Sequence, residues 1–326
     1  DGVDIYYAYS YSAFRGSFFK RFLYYISFFF SGIYKAICLK DIDVIYAVST
    51  PLTVGFMGAV ISIIRRKPFV FEVTDVWPDA AVQCGVVDNG ILLYCARMLE
   101  KFCYWKASHI VGLTSGICAN IIGKGVSESE IDLVTNGINV ELYSDDSETV
   151  SRQKRREQSG FDDNDIIAMY MGAHGKYNSL GTIIKAAILL KDREELKFVF
   201  IGDGDERKVL RQETQENELK NVHFLDPVPR NEAASYLSMA DMFLLPNRKG
   251  EFFKCNLPNK LFDFCAASRP VLVAGIGESA KLVESADCGL TVPPEDAETF
   301  AKAIGTFSDM SSDERLNKGK NGREFV

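Results

Sequence analysis

The sequence predicts two α/β domains, each built on a doubly wound parallel sheet, on three observations. Short apolar runs recur along the chain, and most intervals between them hold apolar residues at helical spacing. Strands alternating with helices in this way are most simply closed as parallel sheets. The 326-residue chain is long enough for two cores, and a polar, charge-dense stretch from Ser144 to Asp165 divides it. The expected organisation is residues 1–140, a linker at 141–165 whose charges are solvated, and residues 166–326.

Val3 to Ala8 reads as a strand. The stretch from Ala13 to Lys40 that follows is dense in aromatics, with Arg15, Lys20, Arg21, Lys35 and Lys40 at intervals. Its longest uncharged run, Phe22 to Tyr34, is shorter than the roughly 20 residues a membrane-crossing helix needs. Two readings stay open: a helix largely buried against its sheet, or one lying at a membrane surface with peripheral contact through residues 13–40. Asp43 to Ser49 is the next strand, Leu52 to Ile64 a helix of small and apolar residues, and Pro68 to Val73 another strand. Thr74-Asp75-Val76-Trp77-Pro78-Asp79 comes directly after it. Ligands of open parallel sheets bind outside the carboxyl ends of strands, which puts Asp75 in a functional position. An isolated Asp there otherwise caps the next turn. A helix from Ile91 to Lys106 leads to strand His109 to Leu113, where His109 reads as a structural edge residue. Ile131 to Val134 then enters the turn-rich Thr135-Asn136-Gly137-Ile138-Asn139.

The second half repeats the pattern. Its strands read at Ile166 to Met171, Lys197 to Ile201, Val222 to Leu225, Met242 to Leu245 and Val271 to Ala274, with a short one near Leu290 to Val292. Gly172-Ala173-His174-Gly175-Lys176 follows the first of them. Glycines let backbone approach a ligand and a lysine neutralises phosphate as a point charge, although an exposed loop lysine would look the same. Gly202-Asp203-Gly204 ends the next strand, as a ligand loop or as a tight turn. Asn256 to Gly275 opens on polar and turn-forming residues, where Pro258 suits a helix entrance and Leu261, Phe262, Cys265 and Ala266 have core-facing spacing. Arg269-Pro270 stops that helix before a buried strand. Unpaired N–H groups at such a helix start suit a diphosphate, and Asp263 one turn inside can accept from sugar hydroxyls. The alternative is an ordinary α/β connection with Asp263 solvated.

Taken in order, these motifs resemble the family-four retaining glycosyltransferases, which have the GT-B fold of two facing Rossmann-like domains with a cleft between them. Pro258-Asn259-Lys260, Asp263 and Ala267-Ser268-Arg269-Pro270-Val271 are similar to the Pro-Ser-Lys, acidic residue and Ala-x-Gly-x-Pro-Val of one branch. That branch serves O-antigen and capsule assembly and includes N-acetyl-L-fucosamine transferases. Phe71 to Asp79 resembles its Glu-Val-Arg-Asp-Leu-Trp-Pro-Glu signature, with Thr74 in place of Arg. Thr135 to Asn139 looks like its Pro-Asn-Gly-Val-Asp crossover, with Thr135 in place of Pro. The resemblance runs from about Asp43 to Phe307. Two departures fall in the donor site: Asp263 is one methylene shorter than the usual Glu, and the first Glu of the common Glu-x7-Glu pattern falls on Cys255.

The resemblance implies that the C-terminal domain holds a nucleotide-sugar donor. Lys176 and the helix beginning near Asn259 would stabilise the departing diphosphate. Gly172, His174, Gly175, Gly202, Gly204, Asn256 and Lys260 would line it, backbone around Val228 would meet the base, and Asp263 would hold the ribose. Asp75 is then the leading polar residue on the acceptor side, with Trp77 as a wall. The relatives start further upstream with a glycine-rich loop. The N-terminal domain is therefore expected to lack its first strands, and the chain to be shortened at both ends.

A formal charge of −7 argues against broad nucleic-acid binding. Eight cysteines without a C-x-x-C pair, and only three histidines, give neither a disulfide framework nor a zinc site. They fit a reducing cytoplasm, on the inner face of the membrane in the peripheral reading. No signal peptide is visible in a chain that starts at Asp1 rather than Met. No cofactor or metal is implied; the nucleotide sugar is substrate. The expected function is a retaining glycosyltransferase that moves a UDP-linked N-acetylated sugar to a saccharide or lipid-linked acceptor. A nucleotide-sugar epimerase of the same architecture and a non-catalytic sugar-nucleotide-binding component at a membrane surface are the alternatives.

Overall fold

The computed structural model describes residues 2–11, 18–79, 82, 89–143 and 148–326. Ala13 to Ser17, with Arg15, and Ser144 to Ser147 lie outside the described residues. The chain divides into two compact units, residues 1–135 and 136–326.

The first unit holds a four-stranded sheet in the order β1 (Ile45–Val48), β2 (Phe69–Val73), β3 (His109–Gly112) and β4 (Ile131–Leu133). All neighbours are parallel, so each strand needs a crossover to bring the chain back. Helices α1 (Phe18–Cys38), α2 (Leu52–Arg65), α3 (Gly90–Lys106) and α4 (Ser115–Gly123) precede β1, β2, β3 and β4 in the chain. Phe69, Phe71 and Val73 point into the core, whereas Val70 and Glu72 between them stay partly exposed. His109, on β3, meets Asp132 of β4 at 2.6 Å, as a structural edge residue does.

Two expectations fail here. Val3 to Ala8 is not a strand. The residues just after it meet α1, where Tyr11 N–H donates to Ser27 Oγ at 2.8 Å and Ser31 Oγ donates to Tyr9 O at 2.5 Å. Helix hydroxyls thus bond the backbone of Tyr9 and Tyr11, just beyond the expected strand. Nor is α1 largely buried. It packs on α2, which covers one of its sides, and leaves Ile26, Phe30 and Tyr34 exposed.

The second unit carries a six-stranded parallel sheet in the order β10-β9-β8-β5-β6-β7. These strands are β5 (Ile166–Met171), β6 (Leu196–Ile201), β7 (Val222–Leu225), β8 (Met242–Pro246), β9 (Val271–Ala274) and β10 (Gly289–Val292). Alternate residues of one strand feed opposite faces: Phe198 and Phe200 enter one core, Val199 and Ile201 the other. The helices are α5 (Glu148–Gln158), α6 (Gly181–Leu189), α7 (Arg207–Glu216), α8 (Ala233–Leu237), α9 (Glu251–Cys255), α10 (Asn259–Ala266), α11 (Glu278–Ser285), α12 (Ala297–Asp309) and α13 (Ser312–Phe325). Asp296 caps α12 through Thr299 N–H, and Ser311 with Glu314 forms a capping box on α13.

The stretch expected as a solvated linker contains α5, and its charges are not all solvated. Arg156 is 2% exposed. Its guanidinium donates to Met239 O, Asp165 O and Asp241 Oδ2, while Arg152 donates to Asp241 Oδ1 at 2.6 Å. Ile167 N–H, at the start of β5, donates to Asp241 Oδ2 at 2.8 Å. One buried carboxylate therefore ties α5 to the amino edge of the sheet. Burial alone would raise its pKa, but the charges of Arg152 and Arg156 outweigh that and hold it below the usual value.

Asp241→Asn leaves Arg156 buried without its counter-charge and should destabilise the fold by about 3–5 kcal/mol, read by urea unfolding near pH 7. The native carboxylate binds its proton less readily than the unfolded one. Its contribution is therefore full above the unfolded pKa of about 3.9 and is lost as pH falls through the folded value. The gap between wild type and variant should accordingly narrow in acid; a gap independent of pH would remove the carboxylate's charge from the argument.

Candidate functional site

In the second unit the chain starts at β5, builds outward through β6 and β7, then returns to place β8 on the other side of β5. Loops at the carboxyl ends of strands beside such a switch point are where open parallel sheets receive ligands. Gly172-Ala173-His174-Gly175 leaves β5 and Gly202-Asp203-Gly204 leaves β6. The two loops are bonded to each other, with His174 N–H donating to Asp203 O and Glu206 N–H to His174 O, both at 2.9 Å. Gly202 and Gly204 have φ of 140° and 156°. A Cβ on Gly202 would collide with the Gly172 carbonyl, and one on Gly204 with the backbone of His174.

His174 is 0% exposed and lies among the rings of Tyr170, Phe200 and Phe224. Burial first, and then the charge of Arg207, push its pKa down to about 4, so the ring is neutral near pH 7. Neither ring nitrogen has a hydrogen-bond partner among the described residues.

Helix α10 begins after Pro258, which supplies no side-chain cap to the first-turn N–H groups. Lys260, its second residue, donates to Tyr170 OH at 2.6 Å and to Asn178 Oδ1 at 3.2 Å, and its ammonium sits 4.5 Å from the centre of the Tyr170 ring. Tyr170 OH and Asn178 Nδ2 in turn donate to the Ala173 carbonyl. One lysine thus fastens the loop after β5, the turn at Lys176–Asn178 and α10 together. Among the described residues no carboxylate pairs with it, and burial lowers its pKa to about 8. A desolvated cation beside uncapped helix N–H groups and two glycine loops suits an anion.

Asp263 is half-buried one turn further along α10, where its Oδ1 accepts from Tyr143 OH at 2.6 Å. Lys176 and Asn259 are exposed, Val228 packs at the margin of the core, and the Asn256 carbonyl accepts from Ser279 Oγ. Cys255 stands where the Glu-x7-Glu pattern has its first Glu, and burial raises its thiol pKa, so this position holds a neutral group. Tyr170, Asn178 and Tyr143 are not recoverable from motifs. Tyr170 reads only as an apolar strand residue, and Tyr143 lies 120 residues from Asp263.

Asp75 and Trp77 belong to the first unit, just past β2. Burial raises the Asp75 pKa, and a hydrogen bond from Thr50 Oγ1 at 3.2 Å offsets part of that. Thr74, in the position of the signature's Arg, is a structural tie: its N–H donates to Ser49 Oγ and its hydroxyl to Ser49 O. Among the described residues no group of three or more His, Cys, Asp or Glu side chains is gathered for a metal.

Residues 151–325 match the family model described as Glycosyl transferases group 1. The chain is 23% identical over 246 residues to “Probable glycosyltransferase WbjE” of Pseudomonas aeruginosa, covering 74% of this chain and 60% of that protein. It is 24% identical over 184 residues to “Putative teichuronic acid biosynthesis glycosyltransferase TuaC” of Bacillus subtilis (strain 168), covering 56% and 43% of the two. It thus spans about 60% or less of the length of these two relatives. The crystal structure of Anabaena HepE in complex with UDP and glucose has a TM-score of 0.74 at 18% identity, over 91% of this chain and 75% of that one. The two parallel-sheet units have the GT-B fold.

Lys260→Met should stabilise the fold at pH 7 by about 1–2 kcal/mol, because relief of the desolvated charge exceeds two lost hydrogen bonds. The native lysine gives up its proton near pH 8, whereas the unfolded one keeps it to about 10.4. Wild-type stability should therefore rise with pH across that interval and close the gap. Guanidinium unfolding at pH 7 and pH 10 checks this; a less stable variant at both would show that Lys260 is a net structural contact.

Proposed function

The chain belongs to the glycosyl transferases group 1 family, and on that premise we propose that it moves a sugar from UDP to a saccharide or lipid-linked acceptor in bacterial surface-polysaccharide synthesis. The observation that carries the reading is Lys260, a half-buried lysine whose desolvated ammonium has no described carboxylate partner, set between the glycine loops and the start of α10. A diphosphate supplies the missing negative charge. The UDP bound to HepE supports the choice of nucleotide, and the names of WbjE and TuaC support the reaction and the polymer context. The branch whose motifs the sequence resembles includes N-acetyl-L-fucosamine transferases, and an N-acetylated sugar is the proposed donor.

In this scheme Lys260 and the first turn of α10 hold the diphosphate, and Asp263 accepts from the ribose hydroxyls. Backbone around Val228 meets the base. The bond between the anomeric carbon and the phosphate oxygen breaks, the acceptor hydroxyl bonds to the same face of that carbon, and its proton passes to the departing phosphate. Charge grows on the diphosphate as the bond breaks, so Lys176, exposed on the turn after β5, contributes most in the transition state. Asp75 and Trp77 serve the acceptor side. Peripheral membrane contact through residues 13–40 belongs to the same proposal, since a lipid-linked acceptor resides at such a surface.

A screen of UDP-sugars with saccharide and lipid-linked acceptors, read by NMR of the anomeric centre, tests the reaction. A product of inverted configuration, or a sugar epimerised without any acceptor, would overturn it. Asp263→Ala should weaken UDP binding about tenfold to a hundredfold by calorimetry, because a charge-assisted hydrogen bond is removed. Asp75→Asn should leave UDP affinity unchanged and lower kcat. Because the Asp75 pKa is raised, kcat in the wild type should fall with acid from above the usual carboxylate range, and the variant should lack that limb.

A further inference from the structure

We infer that α1 and α3 of the first unit form a face that docks on an anionic lipid surface, with α3 as its principal contact. Helix α3 buries Glu100, Cys103 and Tyr104 and turns apolar residues outward. Ile91, Tyr94, Met98 and Trp105 are 78%, 67%, 50% and 76% exposed. Their spacing places them along one stripe, about 21 Å from end to end. Arg97 and Lys101 are exposed beside it, Arg97 at 3.7 Å from Asp79 in a loose ion pair that leaves it solvent-facing. The acid within α3, Glu100, is buried and held by Lys124 at 2.6 Å and by Tyr104.

Helix α1 repeats the pattern. Its sequence has no acid, Ile26, Phe30 and Tyr34 are exposed one turn apart, and Lys20 and Lys35 are exposed with them. The two helices flank α2 and are linked across it by rings. Phe29 stacks on Phe56 at 5.4 Å, Phe56 meets Phe102 at 5.8 Å, and Phe102 meets Trp105 at 5.9 Å. The described exposed charges of both helices are cations, in a chain of net charge −7.

A helix lying flat in the headgroup layer needs these features: apolar residues toward the acyl chains, Trp and Tyr at the boundary, and cations toward lipid phosphates. Among the described residues no helix is long and apolar enough to cross a membrane, so the contact is peripheral. The inference extends the membrane contact of the proposed function and moves its centre to α3. Its test reads lipid binding with no sugar transfer, so either can fail alone.

The chain has two tryptophans, and in a Trp77→Phe background Trp105 is the sole indole. Its emission should shift to the blue, and the protein should float, with phosphatidylcholine vesicles containing about 30% phosphatidylglycerol. Trp105→Glu, at an exposed position and checked by thermal unfolding to be folded, should lower the partition coefficient at least tenfold. Arg97→Gln with Lys101→Gln should lower it about tenfold. Equal binding to pure phosphatidylcholine, an unshifted Trp105, or flotation unaffected by Trp105→Glu would overturn the inference. So would self-association without lipid that Trp105→Glu abolishes, which would assign the face to a second copy.

Discussion

Lys260 holds a desolvated, half-buried charge beside the loops at the carboxyl edge of the second sheet, and no described carboxylate meets it there. The local architecture follows from accommodating that charge. Tyr170 offers its hydroxyl and ring, Asn178 its amide oxygen, and both pass hydrogen bonds on to the Ala173 carbonyl. The loop after β5 is held against α10 as a consequence, and only glycine at 202 and 204 lets the next loop close on it. Partners of this kind soften the cost of desolvation without removing it. Shape and charge deficit thus have one origin.

The opposite edge of the same sheet treats buried charge differently. Arg156 is saturated by backbone carbonyls and by Asp241, Arg269 donates to Ala240 O, and Arg315 donates to Phe307 O and Met310 O. These guanidiniums tie α5, α13 and the strand starts together and leave little capacity for a ligand. The amino edge therefore lends stability, while the carboxyl edge retains an unmet charge. The division agrees with the topology, because the switch point between β5 and β8 opens at the carboxyl edge.

The first unit shows the same separation on a smaller scale. Thr74 and Ser49 bind each other at the strand ends, while Asp75 next to them stays desolvated with one hydroxyl donor. The Glu100–Lys124–Tyr104 group holds α3 inward, which frees its other face to remain apolar.

What the sequence determined by itself is local. Strand positions from β1 to β10 follow from short apolar runs, and the parallel arrangement follows from the helices between them. The glycine loops, the entrance of α10 at Pro258 and the placement of Asp75 after β2 are set by residues adjacent in the chain. Tertiary structure decided whatever required a partner from elsewhere. Val3 to Ala8 has strand-like composition, but the backbone just after it, at Tyr9 and Tyr11, is bonded to α1 hydroxyls. Arg152 and Arg156 look like solvated charge until Asp241 meets them. Asp263 acquires Tyr143 and Lys260 acquires Tyr170 across the fold, and the exposed stripe of α3 emerges only once Glu100 is seen turned inward. Hydrophobic periodicity records which way a side chain faces along its own element; the burial and pairing of a charge depend on groups that only folding brings near.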